Sequence, residues 1–191
     1  MRVVALTLFA TLGIVSSALM AGNPYSSVPD RAQGIAAFEA ITPALRHTRC
    51  LVCHSSGDYP RQGDNLHPHI MDVRRGPQGF GAPPVYCSTC HQDRNLAGMH
   101  MPPGAPDWHL PPPEEPLIWE GLTDGQLCRL LINPRRNGGR DAKAIEAHMH
   151  TPLVLWAWHP GEGRTPESMS QGEFLREVHV WTTAGTPCPE R

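Results

Sequence analysis

Two pentads of the form C-x-x-C-H, CLVCH at 50–54 and CSTCH at 87–91, constrain this 191-residue chain more than any other feature. Two thiols three positions apart reach the two vinyl groups of one haem and form thioethers. The adjacent His then lies under the iron as its proximal ligand. With six Cys and 11 His in the whole chain, two such pentads are far beyond chance. The expected cofactors are two haem c groups. One is bound through Cys50 and Cys53 over His54, the other through Cys87 and Cys90 over His91. Competing readings fit less well. A redox-active C-x-x-C pair belongs at a helix start in a βαβ pattern, and neither pentad has such surroundings. A Cys₄ zinc site closes over loops of about 15–20 residues, whereas Cys53 and Cys87 lie 34 apart, and zinc gives no reason for a His after each pair. Disulfides within each C-x-x-C would be strained.

The N-terminus reads as a targeting segment. A short positive start, Met1-Arg2, precedes the apolar run VVALTLFATLGIV, and Ser16-Ser17-Ala18 offers a small-x-small cleavage site with Ala21 as a second choice. A signal peptide over residues 1–21 is expected, too short for a comfortable span of about 20 apolar residues. The expected location is the periplasm, where disulfides persist. Cys128 and Cys188 lie outside both pentads. An even remainder in an exported chain most simply forms one bridge, with two separate buried thiols as the other reading.

Gly and Pro make up 39 of 191 residues, about 20% against roughly 12% in average proteins. Such a chain forms few long helices and a thin core, so something other than its own side chains supplies buried apolar surface. The fold class expected is mainly α with much irregular loop, a small dihaem cytochrome c with a helical C-terminal cap. Residues 22–191 form a single domain, with a haem-bearing segment at about 30–110 and the cap at about 117–191. A helix from Asp30 to Leu45 delivers the first pentad, with Ala36, Ala37, Ile41 and Leu45 inward and Pro43 limiting it. Residues 55–116 are loop-rich and end in the extended stretch LPPPEEP. In the cap, Thr123-x-x-Gln126 is a capping box before Leu127, Leu130 and Leu131. Asp141 starts a second helix with Ile145, His148 and Met149. Ser168 or Ser170 starts a third, with Phe174, Val178 and Trp181 on one face and Gly185 as its stop. The net charge of −2 gives no field for nucleic acid, and Lys143 is the only lysine.

Each iron needs a ligand on its far side. His69 lies 15 residues after His54, on a loop short enough to fold back over a ring, with His67 as its neighbouring alternative. His109 lies 18 residues after His91 on a stiff Pro-flanked segment beside Trp108, and His148 sits on the inner side of a cap helix. The order of preference is His69, His109, His148. Met71, Met99 and Met101 are the thioether options, and His100, His150, His159 and His179 are left as ordinary residues.

The strings LRHTRCLVCH, QGDNLHPHIMDVRRGPQGFG, CSTCHQDRN and PPGAPDWHLPP, with the cap WEGLTDGQLCRLLINPRRNGGR…EAHMHTPLVLWAWHPGEGRTP and its ending W-x-x-x-G-x-x-CP, carry a family likeness. From about residue 40 to 190 the chain resembles a family of small exported dihaem cytochromes, often described as subunits of isoquinoline 1-oxidoreductase, a molybdenum hydroxylase that needs an outside electron acceptor. His47, His69, His109, His148, Cys128 and Cys188 fall at matching places in that pattern. The resemblance implies a periplasmic electron carrier without catalytic residues, whose partners are a dehydrogenase and a terminal acceptor. The rival expectation is a small dihaem enzyme such as a peroxidase with one open iron. A third is a sensor or assembly module that uses haem structurally.

Overall fold

The computed structural model describes residues 28–191, so the targeting segment expected over residues 1–21 lies outside the described residues. Helix α1 (Arg31–Leu45) opens on a reciprocal cap: the Asp30 side chain accepts from the Gln33 amide, and the Gln33 side chain accepts from the Asp30 amide. Its buried stripe is Ala37, Phe38, Ile41, Ala44 and Leu45. Phe38 takes the inward place expected of Ala36, which is exposed. Pro43 sits inside the last turn, where its missing N–H leaves the Glu39 carbonyl without its helical donor, and the helix ends two residues later. One turn, α2 (Thr48–Leu51), then carries the first pentad.

From Val52 to Leu122 regular structure is sparse, as the Pro and Gly content requires. Two minimal antiparallel ladders occur: β1 (Arg61–Gln62) with β2 (His67–Pro68), and β3 (Gly81–Ala82) with β4 (Val85–Tyr86). Short 3₁₀ turns cover Ile70–Asp72 and Cys87–Thr89, the second starting the other pentad.

The cap is helical. Helix α3 (Asp124–Leu131) starts at the Thr123–Gln126 capping box, and α4 (Ala142–Met149) starts at Asp141, whose side chain accepts from the Ala144 amide. A turn, α5 (Pro152–Leu155), runs into the 3₁₀ piece Trp156–Trp158. Helix α6 (Gln171–Thr183) is capped by Ser170, not Ser168, and the chain turns away at Gly185.

These pieces close around one main core. Helices α1 and α6 pack along their lengths, with α4 against α6. Phe38 meets Trp181 at a ring-centre distance of 5.0 Å, and Trp158 meets Phe174 at the same distance. The approach is tight at Gly34, where an added Cβ would stand 2.5 Å from the Ala184 Cβ. The Cys128–Cys188 disulfide is present, with Cα atoms 5.5 Å apart, and ties the C-terminal tail to α3. No described helix is long and apolar enough to cross a membrane.

The bridge spans 60 residues, a loop for which the chain-entropy treatment gives about 4 kcal/mol. Cys128→Ser with Cys188→Ser is therefore expected to lower stability by about that amount in urea unfolding. Alkylation of the unmodified protein under denaturing, non-reducing conditions should label neither residue. Free labelling of both would refute the bridge.

Candidate functional site

The two pentads look onto two adjoining cavities. The first holds about 1140 Å³ with its open mouth included, the second about 1290 Å³. Cys50, Cys53 and His54 line the first; Cys87, Cys90 and His91 line the second. Arg49, Cys53 and His109 line both.

Their walls differ in origin. The first cavity is cut into the helical core: α1 supplies Leu45, α3 Leu131, α4 Ile145 and Met149, and α6 Phe174. The second is walled almost wholly by loops, among them Val73, Tyr86, Pro103 and Leu110. Its rim is open and apolar, with Ile70 60% and Met71 72% exposed.

Each pentad His is held in the same way. The His54 ring lies flat on Trp119, with ring centres 3.6 Å apart and planes within 4°. Its Nδ1 is 3.0 Å from the Leu117 carbonyl oxygen. The His91 ring lies flat on Trp108 at 4.5 Å, again within 4°, with its Nδ1 2.7 Å from the Pro103 carbonyl oxygen. Since a carbonyl can only accept, Nδ1 carries the proton in each ring, and Nε2 is left with its lone pair. That second contact is what a metal-binding imidazole ordinarily makes. Burial drives His54 down to about 3 against the opposing pull of the Leu117 carbonyl, and burial also lowers His91. Both rings are therefore neutral at pH 7, the form that can ligate. Burial, before the nearby charge of Glu167, pushes the Cys50 thiol up to about 12; burial, before Cys87, does the same to Cys53. These are protonated, packed thiols.

The other histidines fall into place around this pair. His69 stands across the second cavity from His91, ring centres 6.1 Å apart, with its own Nδ1 bound to the Ile70 carbonyl. Nearness in sequence does not predict this pairing: His69 follows His54 but faces His91. His148 lines the first cavity from α4, and burial lowers it to about 4; its charge would be felt at His54. His109 borders both cavities, stacks on Phe80 at 4.9 Å and gives its Nδ1 to the Asp107 carbonyl. His67 lies in β2, its Nδ1 bound to the Pro68 carbonyl. His100, left aside by sequence reasoning, lines the second cavity, as does Met71, while Met99 and Met101 are exposed. His179 pairs with Glu146 on the surface, and His47 caps α2. Sequence reasoning also missed the carbonyls of Leu117 and Pro103 and the platform role of Trp119. A carbonyl has no side-chain signature, so no motif announces it. Among the described residues no three His, Cys, Asp or Glu form a group that would hold a bare metal ion. A haem iron asks the protein for two axial ligands only.

Gly104 shows how tightly the second site is drawn. An added Cβ would stand 2.2 Å from the Gln92 carbonyl oxygen and 2.3 Å from that of Arg94, backbone atoms that cannot swing aside. Gly104→Ala should push the 102–105 segment outward and pull the Pro103 carbonyl from His91, at a cost of about 1–3 kcal/mol. Hydrogen-exchange mass spectrometry should show residues 91–104 exchanging at least tenfold faster while α1 and α6 keep their protection. Unchanged exchange there would refute the close fit.

No protein-family model, no curated protein and no solved structure matches this chain.

Proposed function

We propose that this chain is an exported dihaem c-type cytochrome that carries electrons between a periplasmic dehydrogenase, of the molybdenum hydroxylase kind, and a terminal acceptor. The observation that carries the reading is the repeated arrangement at the pentads. Each His is anchored through Nδ1 to a backbone carbonyl, lies flat on a Trp and lines a cavity walled by its own two cysteines. Each haem, when bound, would supply a one-electron couple at its iron. The Cys128–Cys188 bridge fits an oxidising compartment.

The same geometry supports a choice of far-side ligands. Two imidazoles bound to opposite faces of one metal at about 2 Å per bond have ring centres roughly 6 Å apart. His69 and His91, at 6.1 Å, meet that spacing. For the first site His148 is the better candidate. It sits on a helix between the buried Ile145 and Met149, within electrostatic reach of His54. His109 is stacked on Phe80 at the boundary between the cavities. Two filled axial positions favour electron carriage over peroxide chemistry.

Mass spectrometry of the mature protein, made in a host with haem-ligation machinery, should give the polypeptide plus two haems. Cys87→Ala with Cys90→Ala should leave one. A mass with bound zinc, or with no haem, would sink the proposal.

His69→Ala and His148→Ala should each turn one haem high-spin and open it to carbon monoxide, while His109→Ala stays low-spin. If His109→Ala opens the first site and His148→Ala does not, the Pro-rich strap of residues 102–119 supplies the ligand. Ready carbon monoxide binding by the unmodified protein would favour a dihaem enzyme with an open iron.

A further inference from the structure

The second cavity has a charge imbalance that the histidine and cysteine chemistry does not use. Three arginines line it, Arg49, Arg61 and Arg164, and no Asp or Glu does. Arg49 is only 3% exposed. All its side-chain hydrogen bonds leave from Nη2, to Thr48 Oγ1 (3.3 Å), the Gly63 carbonyl (3.2 Å) and the Asp64 carboxylate. Its Nε is buried and has no partner. The Arg61 Nε is likewise buried and unpartnered, its guanidinium lying 5.0 Å over the Tyr59 ring. The nearby Glu120 carboxylate is held by the Ser56 amide instead. Arg164 donates only to the carbonyls of Met101 and Pro160. A buried N–H left unpaired costs about 1–3 kcal/mol, more on a charged group. Two such groups on arginines that line the same cavity, with no carboxylate in its lining, point to an anionic ligand with more than one acceptor. A guanidinium fork suits carboxylates.

We infer that Arg49 and Arg61 are the carboxylate-binding residues of the second cavity, receiving the two propionate groups on the haem edge opposite the thioether bonds. The inference rests on the haem reading above and adds which residues fix the cofactor's polar edge. Arg164 adds positive potential to the same wall. Because Arg49 also lines the first cavity, its charge acts on both sites. A positive charge there disfavours the oxidised iron, so its loss should shift each couple toward the oxidised form, and the second couple more.

The test compares Arg49→Gln, Arg61→Gln and the charge-keeping Arg49→Lys with the exposed control Arg176→Gln. All are purified with haem attached and counted by mass. Redox titration followed by absorption should show Arg49→Gln moving the second couple at least tenfold toward oxidised, 59 mV for one electron. That couple is identified by its loss in the Cys87→Ala, Cys90→Ala variant. Arg49→Lys should hold the couple within threefold yet move the propionate-bending band in the resonance Raman spectrum, and Arg61→Gln should move that band too. The control should move neither. If Arg49→Gln does not accumulate with haem, the bands of the other two variants decide. Variants holding both haems with couples within threefold and bands unmoved would overturn the assignment. Unmodified protein whose mass shows no haem would overturn the cofactor reading as well, and the mass tells the two failures apart.

Discussion

The hydrogen bond between a buried imidazole and a distant backbone carbonyl is the contact on which most of this structure depends. At the first pentad the contact is two-way. The His54 ring donates to the Leu117 carbonyl, and two residues later the Trp119 amide donates back to the His54 carbonyl at 3.0 Å. The Glu120 carboxylate then takes the Ser56 amide. His54 and Ser56 are thus stitched to Leu117, Trp119 and Glu120 of the strap, more than 60 positions away. Each bond contributes only about 0.5–1.5 kcal/mol net, yet an imidazole N–H without its partner would be a buried unpaired donor. The strap is therefore fixed in register, and it leads directly into α3 of the cap. At the second pentad the Pro103 carbonyl does the same work from 12 residues away. Asn95 links that loop to the cap: its Oδ1 accepts from the Gly104 amide and from Trp156 Nε1, and its Nδ2 donates to the His159 carbonyl.

Buried arginines complete the design. The loop-rich half contributes few apolar side chains to a core, and its buried members include Arg49, Ser55 and Arg75. Arg75 donates to the carbonyls of Pro111 and Gly57 with no carboxylate in contact. A guanidinium so placed ties together loop segments that have no ladder of their own, here 57, 75 and 111. The same charge acts on Cys53 and His54, whose thiol and ring it biases toward the less protonated form. Loop architecture and site electrostatics are thus set by the same side chains. Replacing Arg75 with an apolar residue would remove both.

Much of the helical half was legible in the sequence because its signals are local. The Thr123–Gln126 box, Asp141 and Ser170 each mark a helix start within three residues, and Phe174, Val178 and Trp181 repeat at helical spacing. The inner face of α1 was read one residue out at Ala36 because two adjacent alanines give no size contrast, while Phe38 does. The pentads named the two anchoring histidines without any structure. The partners of those histidines were not legible. Leu117 and Pro103 act through carbonyls, and His69 crosses to the site of His91 through a loop whose path depends on ladders of two residues each. His100 looked unconstrained between two methionines, yet the Glu162 carbonyl binds its amide and turns it into the second cavity. Arg49 stood beside the first pentad as one arginine among many, and only its burial distinguishes it.

The two sites are unequal in a way that follows from the order of the chain. The first pentad comes directly after the longest helix, so its cavity is cut into the core that α1, α3, α4 and α6 build together. Opening it requires moving packed helices, which places it among the last parts of the molecule to loosen. The second pentad comes after 32 residues of Gly- and Pro-rich loop, and its cavity inherits loop walls, an exposed Cys90 and an apolar rim at Ile70, Met71 and Tyr86. Among the described residues, Arg49, Cys53 and His109 line both the sheltered cavity and the open one. Proximity between the sites is enforced by the strap itself. Residues 102–119 carry, in one continuous stretch, the carbonyl and tryptophan that hold His91 and then those that hold His54. A single Pro-rich segment therefore sets both ring orientations and the distance between them, and it can do so because proline removes the freedom that would let the two drift apart.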